Sequence, residues 1–599
     1  MLALHKVGVD RELYLENYYA KSKRSVEKGK EGPTYAWLIP ADQRRRVDAA
    51  DLVNDLRHQG VEVNRVEQAF QAGTLNVAAG DYVIRADQPY RTLVDMYMSV
   101  QNYPPANPRP YDDTGWTMQY MRNVQVIPVL GKAVLDRRMT LLSADAKPLG
   151  GISGAASTLV IEHTTDNALM AFRFRNASVK MLAAEEDFEV NGTKFHAGAF
   201  IVPDADRAKL DASLKELGIK AMATAVMPAV KTHDLNVPRI GYVHSWARTQ
   251  DEGWVRAALD RYNVPYTYFA DQKLREGNLR SKYDVIVYPH TGATLQATLN
   301  GIAMTGDDPI PYRKSELTPN LGALDESDDI RGGMGLDGLS ELEKFVRAGG
   351  TLITEGSTAS LIPEAGISSG ITVEHPAQLF ARGSIWRGVF ADVKSPIAYG
   401  YTDKDLPVYF NQDPVFAVAG GGGRGGAATG PGQDVTPNAT AVRVSPFELN
   451  PAFPPAPVLG GAGPVTPGPA AASGGRGGRG AIGASGGAGG ASGAAGGRGG
   501  RGGVDNPPAP QPRVVMQFPP NAADMLLSGT LAGGETLVNR ALVIDAPVGK
   551  GHIVMFALRP FWRWQTQGTF FLGFNAILNW DDLDAGKVAA RPVASGAGE

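Results

Sequence analysis

The chain has 599 residues, more than the roughly 250 to 300 that one hydrophobic core supports, so two or more domains are expected. Hydrophobic residues make up 43% and charged residues 20%, the balance of a soluble globular protein, and a formal net charge of -3 gives no field that points to nucleic acid or to a membrane. No apolar run approaches the roughly 20 residues of a bilayer span, the first residues do not read as a signal peptide, and the lack of cysteine excludes disulfides.

The first predicted element is an amphipathic, Lys-rich helix over residues 11–28, assigned with residues 1–32 to a linker. Residues 33–232 carry a pseudo-repeat: Phe70, Gly73, Ala79 and Gly80 are echoed by Phe188, Gly192, Ala197 and Gly198. Each copy follows a short strand-like run, Val61-Glu62-Val63 or Val179-Lys180-Met181, and leads into a helix-like stretch near Tyr90 or Ala205. Further apolar strands at 36–39 and 159–161 precede the copies, so two small α/β lobes are expected, either flanking a cleft or serving as scaffold.

Residues 239–290 read as a complete strand-helix-strand unit. The run Ile240, Gly241, Tyr242, Val243 precedes Thr249 and Glu252 at capping-box spacing, and the helix that follows stops at Asn263-Val264-Pro265. A strand at 266–269 and the continuous apolar run Val285, Ile286, Val287, Tyr288 suit a parallel sheet buried on both faces. The strand at 351–354 runs into Glu355-Gly356-Ser357, where glycine permits a tight elbow; Ser357 is either a nucleophile candidate or ordinary helix-capping chemistry.

From 419 to 511 the chain is Gly, Ala, Pro and Ser with scattered Arg, a composition too poor in apolar surface to offset its conformational entropy. It is expected to be a disordered insert between 236–418 and 512–582 of one domain, not a nucleic-acid-binding segment. Gly549-Lys550-Gly551 has the form of a hairpin turn. The cluster Arg559, Trp562 and Arg563 follows a strand, where open parallel sheets bind ligands, and it reads either as an anion or sugar site or as a loop with Arg stacked on Trp. Residues 583–599 are expected to be a flexible tail.

Several motifs carry a resemblance: Asp251-Glu252-Gly253-Trp254, Arg331-Gly332-Gly333-Met334-Gly335, Ala348-Gly349-Gly350-Thr351, Gly383-Ser384-Ile385-Trp386 and Gly549-Lys550-Gly551-His552-Ile553. With Pro110-Tyr111-Asp112-Asp113-Thr114-Gly115-Trp116 upstream, they resemble the C-terminal region of large bacterial zinc carboxypeptidases related to carboxypeptidase A. The resemblance implies duplicated lobes followed by a class I glutamine-amidotransferase-like, flavodoxin-like domain. It implies zinc only in a peptidase domain outside this chain, and a periplasmic or secreted location if the chain is part of such a protein.

The chemistry of that family has no position here. None of the nine histidines has Glu three residues on, and although His163 has Asp166 there, one such pair does not make a zinc site. The cysteine nucleophile of amidotransferases is missing altogether. The expectation is therefore a non-catalytic accessory region that positions or captures substrate for a separate or lost zinc carboxypeptidase domain, with no cofactor of its own. The alternatives are a stand-alone hydrolase with a Ser or acid site and a polymer-binding module.

Overall fold

The computed structural model describes residues 1–249, 251–419 and 511–587. The insert expected to be disordered lies outside them, apart from its end residues Ala419 and Gln511, as does everything beyond Lys587.

Two helices, Leu2–Val9 and Arg11–Glu31, open the chain. Only Ser25 and Gly29 of the second are buried, so it meets the first lobe at its C-terminal end, where the Ser25 hydroxyl donates to the Gln88 carbonyl. Leu13, Tyr14, Leu15 and Tyr18 are exposed.

The pseudo-repeat folds twice into one topology. In the first copy, strand Ala36–Ile39, helix Arg46–His58, strand Asn64–Val66, strand Tyr82–Arg85, helix Arg91–Met98 and strand Ile127–Val129 follow one another. The second copy repeats this with Thr158–Ile161, Ala168–Arg175, Leu182–Ala184, Phe200–Val202, Arg207–Leu217 and Lys220–Thr224. In both sheets the strands lie in the order fourth, first, third, second, with each adjacent pair antiparallel, which is the split βαβ arrangement. An additional strand, Met139–Leu141 or Thr232–Asp234, extends each sheet beside its second strand.

The shared Phe and Ala-Gly motifs flank a small hairpin in each copy, Phe70–Ala72 with Leu75–Val77 and Phe188–Val190 with Thr193–Phe195. The expected strands at 61–63 and 179–181 begin three residues later in each copy, because Val61, Val63 and Met181 are core residues of the turn that enters the strand.

Each lobe caps the other. Asp166 Oδ1 accepts from the amides of Val47 and Asp48, free donors at a helix start, and Asp48 Oδ2 accepts from the amide of Asn167, just ahead of the second lobe's helix. Buried Arg45 pairs with Asp48 and donates to the carbonyls of Gln567 and Gly568, tying both lobes to the C-terminal segment.

In the large domain, strands Ile240–His244, Thr267–Ala270, Val285–Tyr288, Thr351–Glu355 and Gly551–Phe556 form a five-stranded parallel region. Counted along the chain, their order across the sheet is second, first, third, fourth, fifth, which puts a reversal of strand order between the first and third. Beyond Gly551–Phe556 the sheet continues antiparallel through Ala541–Val548, Arg513–Gln517, Ser384–Phe390 and Asp405–Phe410. The strands on either side of the Gly-rich insert, Val415–Val418 and Arg513–Gln517, both pair with Ala541–Val548, so both ends of the insert are fixed to one strand.

Two local expectations change. The capping box does not form: the helix is Glu252–Arg261, the Glu252 carboxylate accepts from the Tyr268 hydroxyl, and Thr249 faces solvent. Residues 583–585, expected in the tail, are held in the fold, because Leu583 is fully buried and Arg513 donates to the carbonyls of Leu583 and Ala585. No helix among the described residues is long and apolar enough to cross a membrane.

Candidate functional site

A cleft of about 630 Å³ opens beyond the carboxyl ends of the parallel strands, where open α/β sheets place ligands. The loop after Ile240–His244 supplies Arg248 and Asp251, the loop after Val285–Tyr288 supplies His290, and the loop after Gly551–Phe556 supplies Arg559, Trp562 and Arg563. Arg382 and the Asp112-Asp113 pair also line it.

Asp112 and Asp113 reach the cleft because residues 110–116 are stitched to the sheet. The Thr114 amide donates to the Gly383 carbonyl at 2.7 Å and its hydroxyl to the Arg382 carbonyl at 2.6 Å. Gly383 is required there, since its φ is +39° and a Cβ would lie 2.0 Å from Asp113 Oδ1. Asp113 then accepts from the Tyr409 hydroxyl at 2.7 Å, from Trp562 Nε1 at 2.9 Å and from Arg563 at 3.2 Å. Arg563 also pairs with Asp112 at 2.8 Å, and with Trp564 it holds a left-handed backbone, φ +46° and +57°. Such conformations cost on the order of 1 to 3 kcal/mol each and persist where surrounding structure enforces them.

The three residues that the sequence singled out, Arg559, Trp562 and Arg563, are thus brought together. Both guanidinium groups lie over the Trp562 ring, at 4.8 and 4.7 Å from its centroid, and Tyr409 stacks on the same ring at 4.9 Å. Trp562 is 6% exposed, so its ring offers no free platform on which a sugar can stack.

His290 is the residue that sequence reasoning missed. Its Nδ1 accepts from the Ser357 backbone amide at 2.9 Å, which places the imidazole proton on Nε2, facing Asp251 Oδ2 at 3.3 Å. Arg559 Nη2 stands 2.9 Å from the same Nε2 and Arg559 Nη1 pairs with Asp251 at 3.3 Å. Burial, then the charges of Arg559 and Arg248, push the His290 pKa down to about 3, so its 3.3 Å approach to Asp251 is that of a neutral imidazole and not an ion pair. Behind it, burial and the nearby Asp251 push Glu355 up to about 8, against the opposing pull of Arg559, which leaves Glu355 protonated at neutral pH. The available signal was position: Glu355 ends the buried strand Thr351–Glu355 and His290 follows the strand Val285–Tyr288 by two residues.

At the elbow the residue with positive φ is Gly356 (φ +55°, ψ -124°), and a Cβ there would lie 2.2 Å from His290 Nδ1. Ser357 is the first residue of helix Ser357–Glu364. Its hydroxyl oxygen accepts from the amides of Gly292 at 2.9 Å and Thr291 at 3.2 Å, so it caps the neighbouring loop and makes no hydrogen bond to an imidazole nitrogen.

His163 and Asp166 do not form a metal pair. His163 Nδ1 accepts from the Thr165 amide and Nε2 donates to Asn575 Oδ1, while Asp166 serves the helix start at Val47, so both ring nitrogens and the carboxylate are committed. Among the described residues no group of three or more His, Cys, Asp or Glu side chains is gathered as a metal site would require.

No protein-family model and no curated protein matches the sequence. Among solved structures the chain is similar to a cytoplasmic protein from Salmonella typhimurium (10% identity, 57% of this chain and 97% of that one, TM-score 0.25). It is also similar to a putative GMP synthase subunit from Thermoplasma acidophilum (8%, 57% and 94%, TM-score 0.26) and to a putative ThuA-like protein from Bacteroides uniformis (8%, 57% and 90%, TM-score 0.24). Superpositions of this quality carry no argument about what the cleft does.

Proposed function

We propose that the chain is a non-catalytic accessory region of a zinc carboxypeptidase-like protein, whose cleft binds a ligand and does not transform it. In this reading the large domain is of the class I glutamine-amidotransferase-like, flavodoxin-like kind, and zinc belongs to a peptidase domain outside this chain. The sequence motifs support the family; the state of the elbow supports the loss of chemistry. An activated nucleophile needs a base within hydrogen-bond reach. Here glycine occupies the apex, His290 fills the space of the missing side chain, and the Ser357 hydroxyl is spent on two amides.

The single observation that carries the reading is that the only ring nitrogen of His290 able to accept a proton is already bonded to the Ser357 backbone amide. The stand-alone hydrolase reading needs that bond broken and the serine side chain turned round.

The test is direct. The purified chain is expected to carry no stoichiometric zinc and to release no C-terminal amino acids from peptides. One tightly bound zinc per chain, with peptide cleavage that a chelator abolishes, overturns the proposal.

A further inference from the structure

We infer that the cleft selects a small anion, a carboxylate- or phosphate-bearing molecule, and seats it between Arg248 and Arg382. This rests on the binding reading above and gives that site a ligand class and two further residues.

The charges in the cleft do not balance. Four arginines and three aspartates line it. Arg563 is consumed by Asp112 and Asp113, and Arg559 by Asp251. Arg248 has no carboxylate within ion-pair distance among the described residues, and its Nη1 projects over the 290–292 loop, 3.9 Å from where a Cβ on Gly292 would stand. Arg382 spends one nitrogen on the Tyr111 carbonyl, at 2.9 Å, and keeps the rest of its fork.

Both side chains are exposed at the mouth and both guanidinium forks match a planar or tetrahedral oxyanion bidentately. Asp112 feels the charge of Arg382, but Arg563 holds it at 2.8 Å. Neutral His290 below adds no competing charge. The covered face of Trp562 takes that ring out of ligand recognition, and the charged groups left without a carboxylate partner favour an anion.

The experiment is isothermal titration of the full chain with inorganic phosphate and, separately, with citrate at low ionic strength. It compares the natural protein with an Arg248→Gln/Arg382→Gln variant and with Arg313→Gln, a surface arginine paired with Asp328 away from the cleft. One-site binding is expected, weakened at least tenfold in the double variant and unchanged in Arg313→Gln. Tighter citrate assigns the ligand to the carboxylates and tighter phosphate to the phosphates. Because both residues are exposed, the double variant is expected to keep its thermal midpoint, which a parallel melt checks. Absence of binding by both anions, or equal affinity in the double variant, overturns the inference and leaves the accessory reading standing. Zinc-dependent peptide cleavage overturns that reading whatever the anions do.

Discussion

Two histidines stand at opposite ends of the same parallel sheet, each within reach of an aspartate, and one is neutral while the other is charged. His290, at the carboxyl end, is buried beside Arg559 and Arg248, and its pKa falls to about 3. His552, at the start of strand Gly551–Phe556, is also buried, which works against its charge. Asp545 at 2.6 Å and Asp584 at 3.7 Å outweigh that and raise it to about 9. A nearby aspartate alone therefore does not set the charge: burial first, then two arginines, keep His290 neutral, whereas hydrogen bonds to Asp545 and Asp584 outweigh burial at His552. The sheet is closed at its amino end by a charged lock that pins residues 583–587, and it is open at its carboxyl end around a neutral imidazole.

The largest effect is expected from breaking the lock. Asp545 is fully buried, and Asp545→Ala leaves the His552 imidazolium without its closest partner, at a cost of about 3 kcal/mol. Denaturant midpoints measure it, and a loss below about 1 kcal/mol shows that Asp584 and the surrounding water suffice.

The next expectation concerns pH. The raised pKa of His552 contributes stability that is complete below about 6.5, its unfolded value, and is lost as pH rises through about 9. Glu355, raised to about 8, acts in the same sense, its contribution fading between about 4.5 and 8. His290 acts oppositely: its contribution is complete above about 6.5 and is lost as pH falls through about 3. Stability is expected to fall on the alkaline side, by roughly 1.4 kcal/mol for each tenfold difference in proton affinity between the folded and unfolded chain. Glu355→Gln should flatten the fall between about pH 4.5 and 8 that Glu355 adds and leave the His552 part, which runs on to about pH 9. A curve unchanged by Glu355→Gln removes Glu355 from the account.

A smaller effect sharpens the same contrast. Arg559→Gln removes the cation next to His290 Nε2, so the imidazole pKa followed by NMR is expected to rise towards the ordinary histidine value. No rise would mean that burial alone sets it.

The carboxyl end is partly legible in the sequence. The apolar runs at Ile240 and Val285 and the Gly356 elbow mark the parallel strands, because strands buried on both faces leave continuous hydrophobic runs. Arg559, Trp562 and Arg563 are visible as a charged cluster after such a strand. Asp251 lies inside the stretch that reads as a capping box, and spacing along the chain does not tell whether a side chain there turns back to its own helix or across to Arg559. The antiparallel pairing of the lobes, and the lock between His552 and Asp584, depend on contacts between residues distant in sequence, which no local pattern encodes.

The smallest expected effect belongs to Ser357. If its hydroxyl only caps the 290–292 loop, Ser357→Ala costs about 1 kcal/mol, the ordinary value of a lost side-chain cap. A fluorophosphonate probe should then leave Ser357 unlabelled at neutral pH, because no base contacts the hydroxyl and the Nδ1 of His290 is held by the backbone of the same residue. The Ala variant also loosens the loop that positions His290 above Glu355, so the His290 resonance should shift while its pKa stays low. Specific labelling of Ser357 that disappears in the Ala variant would show that the hydroxyl leaves its two amides and finds a base, and it would make the open end of the sheet an active site.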